Sequence, residues 1–293
     1  MKTRFLSIAI LLVAGSPVAS AAAPAPEPST FCRYVPERSD DFAWENDLAA
    51  FRTYGPALKN GTENSGIDCW PKRVTYLIVD KWYKLEHDQH ISYHEEHGEG
   101  YDNYKTGKSR GCGGTAVWLD GKMWLSGVYK EWKIISSTRE KSVFELTYDY
   151  EVKGRKIHEV KRITIVLGQR LFKSDSTFTE NGKPASLDIA VGVTTHDQAG
   201  VCTFNRNEGW MAVWEVIDRE GFGTGVVMNP KRIADMREIK STVPDESHAL
   251  LITHTDSEGK EAHYAGYGWE KAGVITTSQK WQDYLAAFAK KLE

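Results

Sequence analysis

An all-β fold, a large antiparallel β-sandwich closed by one C-terminal helix, is what this sequence predicts, and three observations carry the prediction. Short runs rich in β-branched and aromatic residues follow one another from Val74 onward, at the spacing of a sandwich or barrel rather than of β-α-β units. Several are joined by the pairs Asp120-Gly121, Lys153-Gly154 and Asn181-Gly182, which supply the positive φ angles of tight hairpins. Within Arg162 to Leu167 the apolar side chains alternate, Ile163, Ile165 and Leu167 to one face and Arg162 and Thr164 to the other, as a half-buried strand requires.

Taken in order, Asp40 to Tyr54 suits two elements. Phe42, Trp44, Leu48, Phe51 and Tyr54 fit a helical stripe, while Ala49 to Tyr54 fits a strand equally well. Val74 to Val79, Thr115 to Trp118 and Lys122 to Leu125 read as strands, followed by Val143 to Tyr150, Ile157 to Leu167 and Arg170 to Thr179. Leu187 to Val193, Met211 to Val216, Gly223 to Met228, His248 to Thr255 and Glu261 to Gly268 complete the set. Ser278 to Leu292 breaks the pattern. Trp281, Tyr284, Leu285, Phe288 and Leu292 recur at helical spacing, and Ser278 serves as the N-cap.

The amino end sets the expected compartment. Lys2 and Arg4, the apolar run Phe5 to Ala14 and the small residues Ser16 to Ala23 make a signal peptide over residues 1–23. Its apolar core is too short to span a bilayer, and the expected destination is the periplasm. The alternating prolines of 24–30 predict a disordered leader, and 31–293 a single domain, since no linker or repeat interrupts it. The formal charge is −3, and loss of Lys2 and Arg4 makes the mature form more acidic still, which argues against a nucleic-acid partner. Four cysteines, Cys32, Cys69, Cys112 and Cys202, remain after processing, and an oxidising compartment predicts disulfides, with any of three pairings open. Without C-x-x-C spacing they do not suggest a zinc knot.

Polar chemistry concentrates between His87 and Arg110. His87, His90, His94 and His97 crowd together with Glu95, Glu96, Glu99, Tyr101, Asp102, Tyr104, Lys105 and Arg110, while Gly98, Gly100 and Gly107 loosen the chain. Three readings compete: a solvated charged loop, a divalent-metal site at His90, His94, His97 and Glu99, and a proton-transfer site with a histidine or tyrosine beside cationic clamps. The metal reading lacks H-E-x-x-H spacing, so no cofactor is the leading expectation. Aromatics mix with charges twice more, at Trp44-Glu45-Asn46-Asp47 with Arg52, and at Trp70 to Tyr83, as suits stacking and hydrogen bonding to a sugar. The plainer account makes those tryptophans core residues. His196-Asp197 and Glu215 are weaker candidates, and no nucleophile elbow, P-loop or dinucleotide fingerprint is present.

A wider set of motifs carries a resemblance. Arg33-Tyr-Val-Pro-Glu-Arg-Ser-Asp-Asp-Phe-Ala-Trp-Glu-Asn-Asp47, Phe51-Arg-Thr-Tyr-Gly-Pro56, Gly66-Ile-Asp68, Asp80-Lys-Trp-Tyr83, Tyr93-His94, His97-Gly-Glu-Gly100 and Ser109-Arg-Gly-Cys-Gly-Gly114 resemble the secreted bacterial domain-of-unknown-function family 4861 over nearly the whole mature chain. The resemblance implies a galactose-mutarotase-like supersandwich, like those of sugar mutarotases and polysaccharide lyases, and breakdown of acidic plant or algal polysaccharides such as pectin. Cys32 departs from the pattern and bears on the disulfides rather than on a site.

The expected function is therefore an enzyme on uronate-containing oligosaccharides, acting by β-elimination or hydrolysis. For elimination, Arg110 and Lys105 neutralise the carboxylate, His97 is the base and Tyr101 the acid, with His94 and Glu99 as further catalytic candidates. Glu45, Asp47, Arg52 and Asp102 bind the sugar's polar groups, and Trp44 and Trp70 form stacking platforms. For hydrolysis, Glu45, Asp47, Glu99 and Asp102 supply acid and base. A non-catalytic sugar-binding protein and a mutarotase-like isomerase using a His/Glu pair are the competing classes.

Overall fold

The computed structural model describes residues 26–292. Strands β1 (Phe31–Val35), β2 (Asp41–Glu45), β3 (Ala50–Thr53) and β4 (Ile67–Trp70) form a four-stranded meander, so the ambiguous stretch from Asp40 to Tyr54 is two strands. Helix α1 (Val79–Gln89) follows. Next come β5 (Cys112–Leu119), β6 (Lys122–Trp124), β7 (Glu131–Ser137), β8 (Lys141–Val152), β9 (Arg155–Val166), β10 (Leu171–Glu180), the short β11 (Lys183–Pro184) and β12 (Asp188–Thr194). The chain continues through β13 (Val201–Asn205), β14 (Trp210–Ile217), β15 (Glu220–Val227), β16 (Ile233–Ile239), β17 (His248–His254) and β18 (Lys260–Trp269) to helix α2 (Ser278–Ala289).

These strands build two larger sheets. One has nine strands, in the order β13-β14-β15-β18-β10-β9-β8-β7 with β11 on β10, and the other has five, in the order β16-β17-β12-β5-β6. The named strands pair antiparallel throughout. The hairpin pairs behave as their sequence requires, with both residues of Asp120-Gly121, Lys153-Gly154 and Asn181-Gly182 at positive φ. One core unites the sheets: Phe144, Ile163, Ile165, Phe172 and Val226 of the nine-stranded sheet meet Val191, Val193 and Leu251 of the five-stranded sheet and Trp44 and Phe51 of the amino-terminal one.

The C-terminal helix forms as expected, one residue out of register at its start, because Thr277 rather than Ser278 accepts the capping bond, from the Lys280 N–H at 3.2 Å. It lies on β14 and β15 with Trp281 and Leu285 buried. Gly223 makes this possible, since a Cβ there would stand 2.6 Å from the Trp281 ring.

One expectation is corrected. Val74 to Val79 is not a strand but the approach to α1, whose first turn is set by the Glu45 carboxylate accepting the N–H groups of Ile78 and Val79 at 2.9 and 2.8 Å. The signal peptide lies outside the described residues, and the described end of the supposed leader is held in place. There Thr30 is buried, and its hydroxyl donates to the Thr138 carbonyl at 2.7 Å.

Candidate functional site

The segment after α1 begins where His90 takes a left-handed conformation and ends the helix. It then runs back across the amino-terminal sheet. Arg73 donates its N–H to the Glu99 carbonyl at 2.8 Å and its Nε to the Gly98 carbonyl at 3.0 Å, and the Tyr101 N–H donates to Pro71 O at 3.1 Å. Gly100, at φ 124°, permits this contact, because a Cβ would come within 2.0 Å of the Pro71 carbonyl. The segment therefore meets the aromatic-acidic strands by backbone pairing, and several of its side chains are buried: Tyr93, Asp102, Tyr104, Thr106, Ser109 and Arg110.

At the junction lies a charge cluster around Arg52. Its Nη2 donates to Asp68 Oδ2 at 2.6 Å and to Asp102 Oδ2 at 3.0 Å, its Nη1 to the Tyr93 hydroxyl at 3.3 Å, and its Nε faces Asp41 at 3.7 Å. The guanidinium also lies over Trp70, 5.1 Å from a ring centroid. Burial pushes the Asp41 carboxyl up to about 7 against the pull of Arg52 and Arg38. Burial likewise raises Asp68 and Asp102, each opposed by Arg52. Burial alone would lower the guanidinium's pKa, but Asp68 and Asp102 hold it well above its ordinary value.

His94 roofs this cluster. Its Nδ1 faces the Asp102 carbonyl at 3.1 Å and the Asp102 carboxylate at 3.5 Å, so the proton belongs on Nδ1. The side chain is 53% exposed, and Nε2 takes no hydrogen bond among the described residues. This is the arrangement of a base oriented by a fixed acceptor.

The other expected site residues are distributed differently. His97 is exposed, its Nε2 turned back on the Ser92 carbonyl at 3.0 Å. Tyr101 donates to Asp218 Oδ2 at 3.0 Å, and burial with that carboxylate pushes its phenol up to about 12. Lys105 is exposed, while its carbonyl faces His196.

Several expected roles are corrected. Arg110 is wholly buried, with Nη1 on Ser65 Oγ at 2.8 Å and Thr115 O at 3.3 Å and Nη2 on Asn64 Oδ1 at 3.3 Å, so it cannot clamp a ligand at the surface. Burial lowers its pKa to about 10. Trp44 and Trp70 are core residues, Trp44 against Phe51 and Phe172 and Trp70 against Trp82 and Tyr93. Glu45 is consumed by the start of α1 and by Lys72 at 3.0 Å, and Asp47 accepts the Gly168 N–H at 2.7 Å. Glu99 accepts from Lys81, Tyr76 and Trp82 Nε1, so it joins no metal set with His90, His94 and His97. Among the described residues no group of three or more His, Cys, Asp or Glu side chains is placed to hold a metal ion. All four cysteines are free thiols, three of them buried on separate strands of the core.

Residues given little weight from sequence prove to be organised. His196 Nδ1 faces Glu215 Oε2 at 2.7 Å and its Nε2 faces the Lys105 carbonyl at 2.7 Å, on a turn where His196, Asp197 and Gln198 all take positive φ. Acceptors face both nitrogens; burial opposes the charged ring, and Glu215 outweighs it, raising the pKa. Inside the sandwich Glu159 accepts from Ser176 at 2.9 Å beside Lys161, and Glu261 pairs with His263 at 2.8 Å. These buried charges share the parity of Ile163, Ile165 and Tyr267 on their strands, and a polar residue in a core-facing register was the available signal.

Residues 15–293 match the family model described as Domain of unknown function (DUF4861). The chain belongs to this family. It is 36% identical over 274 residues to a protein described as uncharacterized protein P7 from Formosa agariphila, an alignment covering 89% of this chain and 67% of that protein. Among solved structures it is similar to the GH36 α-galactosidase AgaB from Geobacillus stearothermophilus, at 8% identity and a TM-score of 0.41 over 87% of this chain. The α-galactosidase from Lactobacillus brevis is similar at 10% identity and a TM-score of 0.35. The chain spans less than half the length of these two enzymes, 43% and 41% respectively.

Proposed function

We propose that this family member is an exported, periplasmic enzyme acting on uronate-containing oligosaccharides by β-elimination, with His94 as the base. The observation that carries the reading is the His94–Asp102 pair, which fixes one ring nitrogen at 3.1 Å from a carbonyl and leaves the other without a hydrogen bond among the described residues. In the reaction Nε2 of His94 takes the proton from C5 of the uronate. The C4–O bond breaks, a C4=C5 double bond forms, and the leaving oxygen takes a proton from the Tyr101 hydroxyl. Lys105, exposed on the same segment, offsets the charge of the C6 carboxylate. Elimination is favoured over hydrolysis because Glu45 and Glu99 are committed to structural donors and Asp102 is buried beneath His94.

The test is to incubate the purified protein with pectic, alginate and ulvan oligosaccharides while following ultraviolet absorbance and reducing ends together. New absorbance is expected, and His94→Gln should lose about 10²–10⁴-fold in rate with its circular dichroism unchanged. Reducing ends without absorbance, or a His94→Gln variant of undiminished rate, would overturn the reading.

A further inference from the structure

The downstream end of the histidine segment borders a second feature that the elimination reading does not use. On the outer face of the five-stranded sheet a cleft of about 450 Å³ opens between the β5–β6 hairpin, the segment at Lys108 and the turn at Asp245. That volume is in the range of small-molecule sites, roughly 300–1,000 Å³. Trp118 forms one wall. It is only partly buried and rests on the rigid apolar base of Ala190, Leu250 and Ile252, with the Arg237 guanidinium 5.7 Å from its ring centroid.

The cleft is lined by two lysines and two acids, and the acids are the hydrogen-bonded members: Asp245 accepts the Lys108 N–H at 3.2 Å, and Glu246 accepts the Ser241 hydroxyl at 3.2 Å. The ammonium groups of Lys108 and Lys122 are exposed and take part in no ion pair among the described residues. In a larger groove of about 800 Å³ on the outer face of the nine-stranded sheet, Arg162, Lys173 and Lys260 are paired with Glu145, Asp175 and Glu258, and Arg232 donates to backbone carbonyls. An aromatic face with two free cations beside it fits a pyranose ring bearing a carboxylate, stacked through its C–H face and held by its charge.

We infer that the Trp118 cleft is a sugar-binding subsite for an acidic pyranose residue, separate from the His94 site and reached by the same segment of chain. The inference rests on the substrate class proposed above but not on its chemistry. It also returns the stacking function, expected of Trp44 and Trp70, to a tryptophan that is only partly buried.

Trigalacturonate and the neutral β-1,4-galactotriose are titrated into wild type and His94→Gln, with tryptophan fluorescence and calorimetry as readouts. Trigalacturonate should bind both proteins with similar affinity. Trp118→Ala should weaken it about tenfold while Trp118→Phe retains most of it. The double variant Lys108→Ser with Lys122→Ser, at two exposed positions that do not threaten folding, should weaken trigalacturonate about fivefold and leave the neutral trisaccharide unchanged. If wild type binds no acidic oligosaccharide, the substrate class and the subsite fall together. If it binds and the Trp118 and lysine variants bind equally well, the subsite alone is overturned; full turnover by His94→Gln would remove only the elimination reading.

Discussion

Arg52 and Arg110 are both buried out of reach of solvent, and they are held in opposite ways. Arg52 sits among the carboxylates of Asp41, Asp68 and Asp102, whereas Arg110 has hydroxyl, amide and carbonyl oxygens for partners. The first keeps its charge because anions surround it, and the second is pulled down to about 10 by burial. Arg52 holds the interior of the histidine segment through Asp102, and Arg110 lies at its downstream end, where its carbonyl accepts the Gly114 N–H of β5. A buried arginine thus serves either as the counter-ion of an acid cluster or as a fork of donors for the backbone, and the two uses carry different energetic risk.

The largest effect should follow Arg52→Met. It strands three buried carboxylates with only the partly exposed Arg38 nearby, and loss of about 3–5 kcal/mol is expected in urea unfolding at pH 7. Arg52→Lys should recover little, since a single ammonium does not span Asp68 and Asp102 as the planar fork does. Arg110→Met removes hydrogen bonds to neutral acceptors but also a desolvated charge, so a smaller loss of about 1–3 kcal/mol is expected. Equal losses at the two positions would break the comparison.

The pH dependence sharpens it further. Asp41 is pushed up to about 7 in the folded chain, above the roughly 3.9 of an unfolded aspartate, so between those values the folded state holds a proton the unfolded state has released. Stability from this group is complete below the unfolded value and is lost as pH rises through the folded one, by about 2–4 kcal/mol across the window. Asp41→Asn should flatten the fall in urea midpoint between pH 5 and pH 8. A variant with the slope of wild type would show that the carboxyl stays ionised and that Arg52 and Arg38 fully compensate it.

How much of this was legible in the sequence follows the same division between backbone and side chain. The hairpin pairs announced β5–β6, β8–β9 and β10–β11 because positive φ is a local demand of two residues. Helix α1 was hidden because its cap is Glu45, distant in sequence, while Val79, Trp82 and Tyr83 form too short a stripe to outweigh the β-branched residues before it. The histidine segment was visible as a polar anomaly, but a cleft joining it to Trp44 and Glu45 does not form, because Trp44 is core and Glu45 holds the start of α1. Which of its side chains point inward was not visible, since burial there follows from backbone pairing with Pro71 and Lys72 rather than from any period in the sequence. Arg110 shows the limit plainly: cationic residues beside glycines suggest a ligand clamp, yet those glycines admit neighbouring backbone.

The smallest effect should come from His196, which ties the middle of the segment to Glu215. Its pKa is raised because the Glu215 hydrogen bond and charge outweigh the burial that would lower it, so its stabilisation is complete below the ordinary histidine value and is lost as pH rises through the folded one. His196→Gln keeps a donor toward Glu215 but loses the second bond to the Lys105 carbonyl, and a loss of about 0.5–1.5 kcal/mol is expected at pH 6, shrinking by pH 8. Because the bond to Lys105 fixes the residue assigned to neutralise the uronate, the same variant should raise KM more than it lowers kcat. A fall in kcat alone, with KM and the stability profile unchanged, would instead put His196 itself in the proton transfer and move the centre of the site from Asp102 to Glu215.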